Sequence, residues 1–224
     1  MQRLSDADRD RVTAAVQAAE AASDGEIVTI VAPRSDAYHD VALHYAVLLM
    51  LLVPAGLALI PQSWIDWWIT FLLGWNAQLT RGEVMLVVFV KLAGAFLVAR
   101  LVLAWMPLRM ALTPGGTKTR RVRRRAIDLF RVTCERRTRG RTGVLLYLSL
   151  LEHRAEIVAD KAIADKTAPE DWGEAMAVLI AEVKAERPGD GMALAVEKIG
   201  AVLARVIPPQ PDNPNELPDS VVEL

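Results

Sequence analysis

Three aspartates raise the first question of chemistry. Asp160 closes a short β-branched run, HRAEIVAD, and Asp165 and Asp171 follow it closely, with Glu170 beside the last. Carboxylates gathered at strand ends are what a hard divalent cation such as Ca²⁺ or Mg²⁺ requires, and such a cation would neutralise charge on a phosphoester. Asp160, Asp165 and Asp171 are therefore the candidate metal ligands. A plainer assignment competes with this one and is preferred: Asp160 caps a turn, and the charge of Asp171 favours a helix start. His153, at a strand start, is read as a surface or pairing residue ahead of a general base. The single cysteine, Cys134, excludes an internal disulfide and any multi-cysteine metal site. It reads as a buried, inert thiol in a reducing compartment. No phosphate-binding loop, dinucleotide glycine pattern, zinc-ligand cluster or serine-nucleophile elbow occurs, so the residues identify no chemical step.

The cations are grouped more tellingly. Arg109, Lys118, Arg120, Arg121, Arg123, Arg124 and Arg125 follow one apolar stretch, whereas the connection between the two most apolar stretches offers only Arg81. That asymmetry predicts a chain integral to a bacterial cytoplasmic membrane, with N- and C-termini both cytoplasmic. Arg120, Arg121, Arg123, Arg124 and Arg125 are expected to set topology and to meet anionic lipid headgroups. A plain solvated helix face is the second reading of this run, and a nucleic-acid partner is not expected because the run sits beside a span. Trp64, Trp67 and Trp68, with Trp75, have amphipathic indoles suited to the headgroup layer. Lys91 and Arg100 lie inside the second apolar stretch, on opposite faces at about 100° per residue. Snorkelling toward the two interfaces is the expected account of both, ahead of pairing within a hairpin or across an oligomer, or a transport pathway.

These residues need elements to hold them. Of the 224 residues, 53% are hydrophobic and 24% charged, and the apolar excess is concentrated between Val41 and Leu108. Val41 to Ile60 and Val84 to Leu108 are each about 20 residues or more, enough to cross a bilayer core of about 30 Å as helices. Between them, Trp64 to Trp75 is too short to cross and reads as an interfacial helix or re-entrant turn. The N-terminus lacks the order of a cleaved signal. Elsewhere the pattern alternates. A helix from Ser5 to about Ala22 precedes the strand EIVTIVAP at Glu26. After the apolar zone, a helix capped by Thr117 or Thr119 runs to about Arg137. Thr142 to Leu150 and His153 to Asp160 are strands, and Asp171 to Glu186 and Gly191 to Val206 are helices. The tail, rich in Pro, Asn and Asp, reads as an extended strap or a mobile end. A lone helix and strand before the hairpin could hardly fold alone. Residues 1–40 and 109–208 are thus expected to form one domain with a single sheet, interrupted by a transmembrane hairpin over 41–108 and followed by a tail over 209–224.

In order and spacing, the soluble part resembles the TPM-domain family, and within it a bacterial subgroup with a membrane hairpin inserted in the domain. The resemblance is carried by GEIVTIVAP at Gly25, TGVLLYLSLLEHRAEIVADKAIADK from Thr142 and the Trp172 that opens the next helix. GMALAVEKIGAVLARVIPP from Gly191 and NELPD at Asn215 complete it. It implies an α/β fold, a small sheet flanked by helices. Some members of the family are associated with phosphatase activity or divalent-cation binding, and thylakoid members with photosystem repair. Asp160 matches a family-like position. Where many family members begin the central strand with Asp-Asn-Gly, this chain has Arg141-Thr142-Gly143, which removes one acid that could bind metal.

The functional expectation is a membrane-anchored cytoplasmic α/β interaction module that assists assembly or maintenance of membrane complexes, with a membrane-protein partner or a second copy of itself. A metal-dependent phosphatase acting near the membrane surface is the alternative. A small oligomeric transporter or channel using Lys91 and Arg100 is a minor one.

Overall fold

The computed structural model describes residues 4–74, 79–135, 137–138, 140–210 and 215–224. Along the chain come α1 (Asp6–Ala21), β1 (Glu26–Ala32), α2 (His39–Leu59), α3 (Gln62–Leu73), α4 (Arg81–Val102), α5 (Met106–Leu112) and α6 (Gly115–Thr133). They are followed by β2 (Gly143–Ser149), β3 (Arg154–Ala159), α7 (Lys161–Ala164), a 3₁₀ turn (Pro169–Trp172), α8 (Gly173–Lys184), α9 (Pro188–Val206) and β4 (Val222–Glu223). Two compact units result. One combines Met1–Ala37 with Gly115–Leu224, and the other is Tyr38–Pro114.

In the first unit a four-stranded mixed sheet has the order β3-β2-β1-β4. β1 and β2 are parallel, with Glu26 opposite Gly143 and Ala32 opposite Ser149. β3 returns antiparallel to β2, Val144 facing Ala159. All seven residues of β1 and of β2 are buried, as near-continuous apolar runs predict for strands covered on both faces. Their period of two divides the core. Ile27, Val31, Val144, Leu146 and Leu148 join residues of α1, α8 and α9, among them Val16, Leu179, Val196 and Ile199. Val28, Ile30, Leu145 and Tyr147 join Val122, Ala126 and Phe130 of α6, with Leu217 from the tail. Strand and helix periodicities therefore meet on both sides of one sheet, and a strand before the apolar zone pairs with one after it.

Some boundaries differ from expectation. α6 starts at Gly115 and ends at Thr133. Thr119 does not cap it: its Oγ1 donates back to the Gly115 carbonyl at 3.2 Å. α9 takes in residues 188–190 of the expected break, because Pro188 occupies the first helical turn, where a missing N–H costs nothing, and Asp190 there complements the helix dipole. The tail ends in an unanticipated strand: Val222 and Glu223 of β4 pair in parallel with Ile30 and Val31. Residues 211–214 of the expected strap, and Trp75, lie outside the described residues.

In the second unit α2 packs against α4. Val41, Ala42 and Ala46 of α2 and Ala99 of α4 are buried, and the half-buried Val53 and Leu57 of α2 and Val88, Leu92 and Ala95 of α4 continue the same faces at the helical repeat. Small residues at Ala42, Ala46, Ala95 and Ala99 suit close backbone approach. α4 ends at Val102, earlier than the expected Leu108; α5 then follows a turn and carries Arg109 inward.

Candidate functional site

The three candidate metal ligands occupy different surroundings. Asp160 is buried at the N-cap of α7, where Oδ1 accepts from the Lys161 N–H at 2.8 Å; its Oδ2 has no hydrogen-bond partner among the described residues. Its own N–H donates to the Gly143 carbonyl at 2.8 Å and so seals the β2–β3 pairing. Asp165 is exposed at the other end of α7. Asp171 accepts from the Ala168 N–H at 2.8 Å and is paired with Arg205, and these bonds hold its carboxyl below the usual range. Among the described residues no group of three or more His, Cys, Asp or Glu side chains is placed to hold a metal ion. A hard cation takes about six oxygen ligands, and this donor set does not supply them. No phosphoryl step is derived from it. His153 is exposed, in a left-handed turn at φ 48°. Cys134 is buried, and burial pushes its thiol up to about 11, so the reactive thiolate is scarce at neutral pH.

Sequence reasoning missed the acidic pocket at the head of β1. Glu20, Glu26 and Asp219 line a cavity of about 340 Å³ together with Gln17, Gln210 and Asn215. Glu20 accepts the Ile27 N–H at 2.8 Å. Burial, opposed by that hydrogen bond and reinforced by the charges of Glu26 and Asp219, pushes its carboxyl up to about 8. Burial also raises Glu26, against hydrogen bonds from the Leu217 and Glu216 N–H groups. The pocket therefore retains a proton near neutrality. The only sequence signal was an acid on the inner side of an Ala-rich helix end.

At the opposite end of the parallel strands a second network ties loop to loop. Glu152, buried, accepts the Ser35 N–H at 2.9 Å and the Ser149 hydroxyl. Ser35 Oγ lies 3.0 Å from the Tyr147 hydroxyl, and Arg121 is paired with Asp36. These bonds fix the segment after β1. They use Arg121, half-buried, for structure, whereas Arg120, Arg123, Arg124 and Arg125 are exposed on α6. Arg109, by contrast, is buried: its guanidinium donates to the Leu103 and Ala104 carbonyls at 2.8 and 3.3 Å, just beyond the C-terminus of α4, where a cation is favoured.

The second unit displays apolar surface that packing inside the chain leaves uncovered. Leu43, Leu48, Leu51 and Leu52 of α2 and Met85, Leu86, Phe89 and Val90 of α4 are all exposed. On α3, Trp64, Trp67 and Trp68 are exposed beside Phe71; Trp67 stacks on Phe71 with ring centroids 5.7 Å apart and meets Trp68 edge-on at 5.2 Å. Lys91 and Arg100 are exposed on α4.

No protein-family model matches this chain, and no curated protein matches it. A solved structure does. The chain is similar to the NMR structure of the BA42 protein from the psychrophilic bacterium Bizionia argentinensis, at 16% identity and a TM-score of 0.56, covering 99% of this chain and 96% of that one. The likeness is one of fold. It agrees with a small mixed sheet flanked by helices.

Proposed function

We propose that this chain is a membrane-anchored module of TPM type, whose α/β unit stands on the cytoplasmic side of a bacterial membrane and meets a protein partner there. BA42 is a TPM-domain protein, which supports the family reading. One observation carries the membrane reading. α2 and α4 are 21 and 22 residues long, and their most apolar 18-residue windows have mean hydropathies of 2.1 and 2.2, yet only 17% and 6% of those windows are buried. The core helix of a soluble domain would be covered by protein. These two expose Leu, Val and Phe side chains whose removal from water contributes about 25 cal/mol per Å², and a bilayer is the medium that collects that gain.

The orientation is supported by two features. β1 and β2 flank the hairpin in sequence and pair in one sheet, so both flanks are best placed in one compartment. Exposed Arg120, Arg123, Arg124 and Arg125 follow the hairpin directly and favour the cytoplasmic, anionic leaflet. Exposed Trp64, Trp67 and Trp68 suit the headgroup layer across the bilayer. The anchor would raise the local concentration of the α/β unit near membrane complexes.

The test is extraction and sidedness in cells. The chain should stay with membranes through an alkaline wash, and a cysteine at Gln62, in a Cys134→Ser background, should react with an impermeant thiol reagent from the outside. Release by alkali would sink the anchor; labelling only after the membrane is opened would sink the orientation. For the interaction, crosslinks from exposed Val132 to a defined neighbour should vanish when the chain is truncated at Thr142 with the hairpin kept.

A further inference from the structure

We propose that Lys91 marks an intramembrane docking face for a carboxylate-bearing transmembrane helix of another protein. This rests on the membrane-anchored reading above. α4 runs from Arg81 to Val102. Lys91 stands seven residues, about 10 Å at 1.5 Å per residue, inside the apolar part of α4 that begins at Val84 after the charged Arg81 and Glu83. A four-carbon stem spans only part of that distance, so the ammonium group stays within the hydrocarbon short of the headgroups. Arg100 reaches them: it lies in the last turn, where the helix dipole also favours it. Snorkelling therefore explains one of the two cations and leaves the other within the hydrocarbon, where ionisable side chains are costly and tied to function.

Among the described residues nothing offers Lys91 a counter-charge. Lys91 is exposed and makes no hydrogen bond or ion pair among the described residues. A second copy supplies nothing better. Between Val41 and Leu108 the carboxylates are Asp66, on α3, and Glu83, in the first turn of α4. Glu83 already accepts from the Thr80 N–H and hydroxyl at 2.7 and 2.8 Å. The complementary charge must come from a different chain.

The surroundings of Lys91 suit a helix. Val87, Lys91, Gly94 and Val98 follow i, i+4, i+7, i+11 and form a stripe beside the one turned toward α2. Val87 and Val98 are exposed, and a Cβ placed on Gly94 would meet nothing within 4 Å, so a second backbone has room to approach next to the ammonium. Apolar contact alone gives little selectivity in hydrocarbon, where lipid tails compete equally. A lysine–carboxylate pair gives it.

The full-length protein, dye-labelled at its C-terminus in phosphatidylcholine vesicles, would be mixed with an acceptor-labelled polyleucine transmembrane peptide carrying one mid-span Asp, or Leu in its place. Energy transfer should report association with the Asp peptide about three- to twentyfold tighter than with the Leu peptide, the range of an interhelical polar contact in a bilayer. Lys91→Leu should erase that preference and Arg100→Leu should keep it. Equal association of the two peptides, or a preference that survives Lys91→Leu or disappears in Arg100→Leu, overturns the proposal. Alkaline extraction of each vesicle sample separates the two claims. A wild-type chain that washes off defeats the anchor, whereas an inserted chain without Asp preference defeats the docking face alone.

Discussion

The Leu217 N–H donates to Glu26 Oε2 at 3.1 Å, joining the tail to the head of β1 across a separation of 191 residues. Both residues are buried. Glu26→Ala should leave that buried N–H without an acceptor and destabilise the α/β unit by about 1–3 kcal/mol. Glu26→Gln keeps an acceptor and should cost less. Urea unfolding in detergent micelles measures both, and amide exchange at Val222 and Leu224 should quicken in the alanine variant if the tail loosens. Unchanged stability would mean that Leu217 packing and the β4 pairing hold the tail without this bond.

Next to it, Glu20 makes stability depend on pH. Its carboxyl is pushed up to about 8 in the folded chain, mainly by burial, from an ordinary 4.5. Between those values the folded state binds the extra proton, so stability falls as pH rises from about 4.5 to about 8 and levels off above. Glu20→Gln retains an oxygen for the Ile27 N–H and removes the titration. At pH 8 the variant should be the more stable by about 2 kcal/mol, a figure discounted for the solvent that reaches this half-buried group. Parallel stability curves from pH 5 to 9 for the two proteins would contradict the assignment.

Gly200 sets how closely α9 approaches α1. A Cβ there would lie 2.6 Å from the Ala19 Cβ and 3.1 Å from its Cα, the latter part of a backbone that cannot swing away. Replacing glycine by alanine inside a helix gains about 0.5–1 kcal/mol in chain entropy, but overpacking costs about 1–3 kcal/mol, so the clash wins. Gly200→Ala should lower the unfolding midpoint, while Gly116→Ala, where no atom lies within 4 Å, should not.

These long-range relations were the illegible part. A short β-branched run at Glu26 and a near-continuous apolar run at Thr142 announced β1 and β2, and two longer apolar stretches announced α2 and α4, because composition and hydropathy are local properties of the chain. The sheet that unites strands on either side of the hairpin followed from the bare edge that EIVTIVAP would otherwise present. β4 left no such trace, since two residues carry no pattern, and its partner Ile30 is far away in sequence. For the same reason the pocket of Glu20, Glu26 and Asp219 escaped notice: its members come from α1, β1 and the tail. The aspartates at 160, 165 and 171 were visible as a cluster in sequence, yet Asp160 caps α7 and Asp171 is spent on Ala168 and Arg205.

On the proposed reading that α2 and α4 cross a membrane, orientation should respond to charge on α6. Arg109 is buried and Arg121 is paired with Asp36, so the cations free to favour the cytoplasmic leaflet are those exposed further along the helix. Neutralising Arg120, Arg124 and Arg125 to Gln removes a bias of about 1 kcal/mol per side chain near an anionic surface. Arg123 is left in place because its charge opposes the burial of Glu156 on β3, and its loss would perturb folding as well as topology. With a cysteine at exposed Gln62 and Cys134→Ser, outside labelling should fall by about half or more in the triple variant, since only Arg81 opposes inversion from the connecting loop. Full labelling in the variant would show that folding of the sheet around the hairpin, rather than the arginines, decides which way α2 and α4 cross.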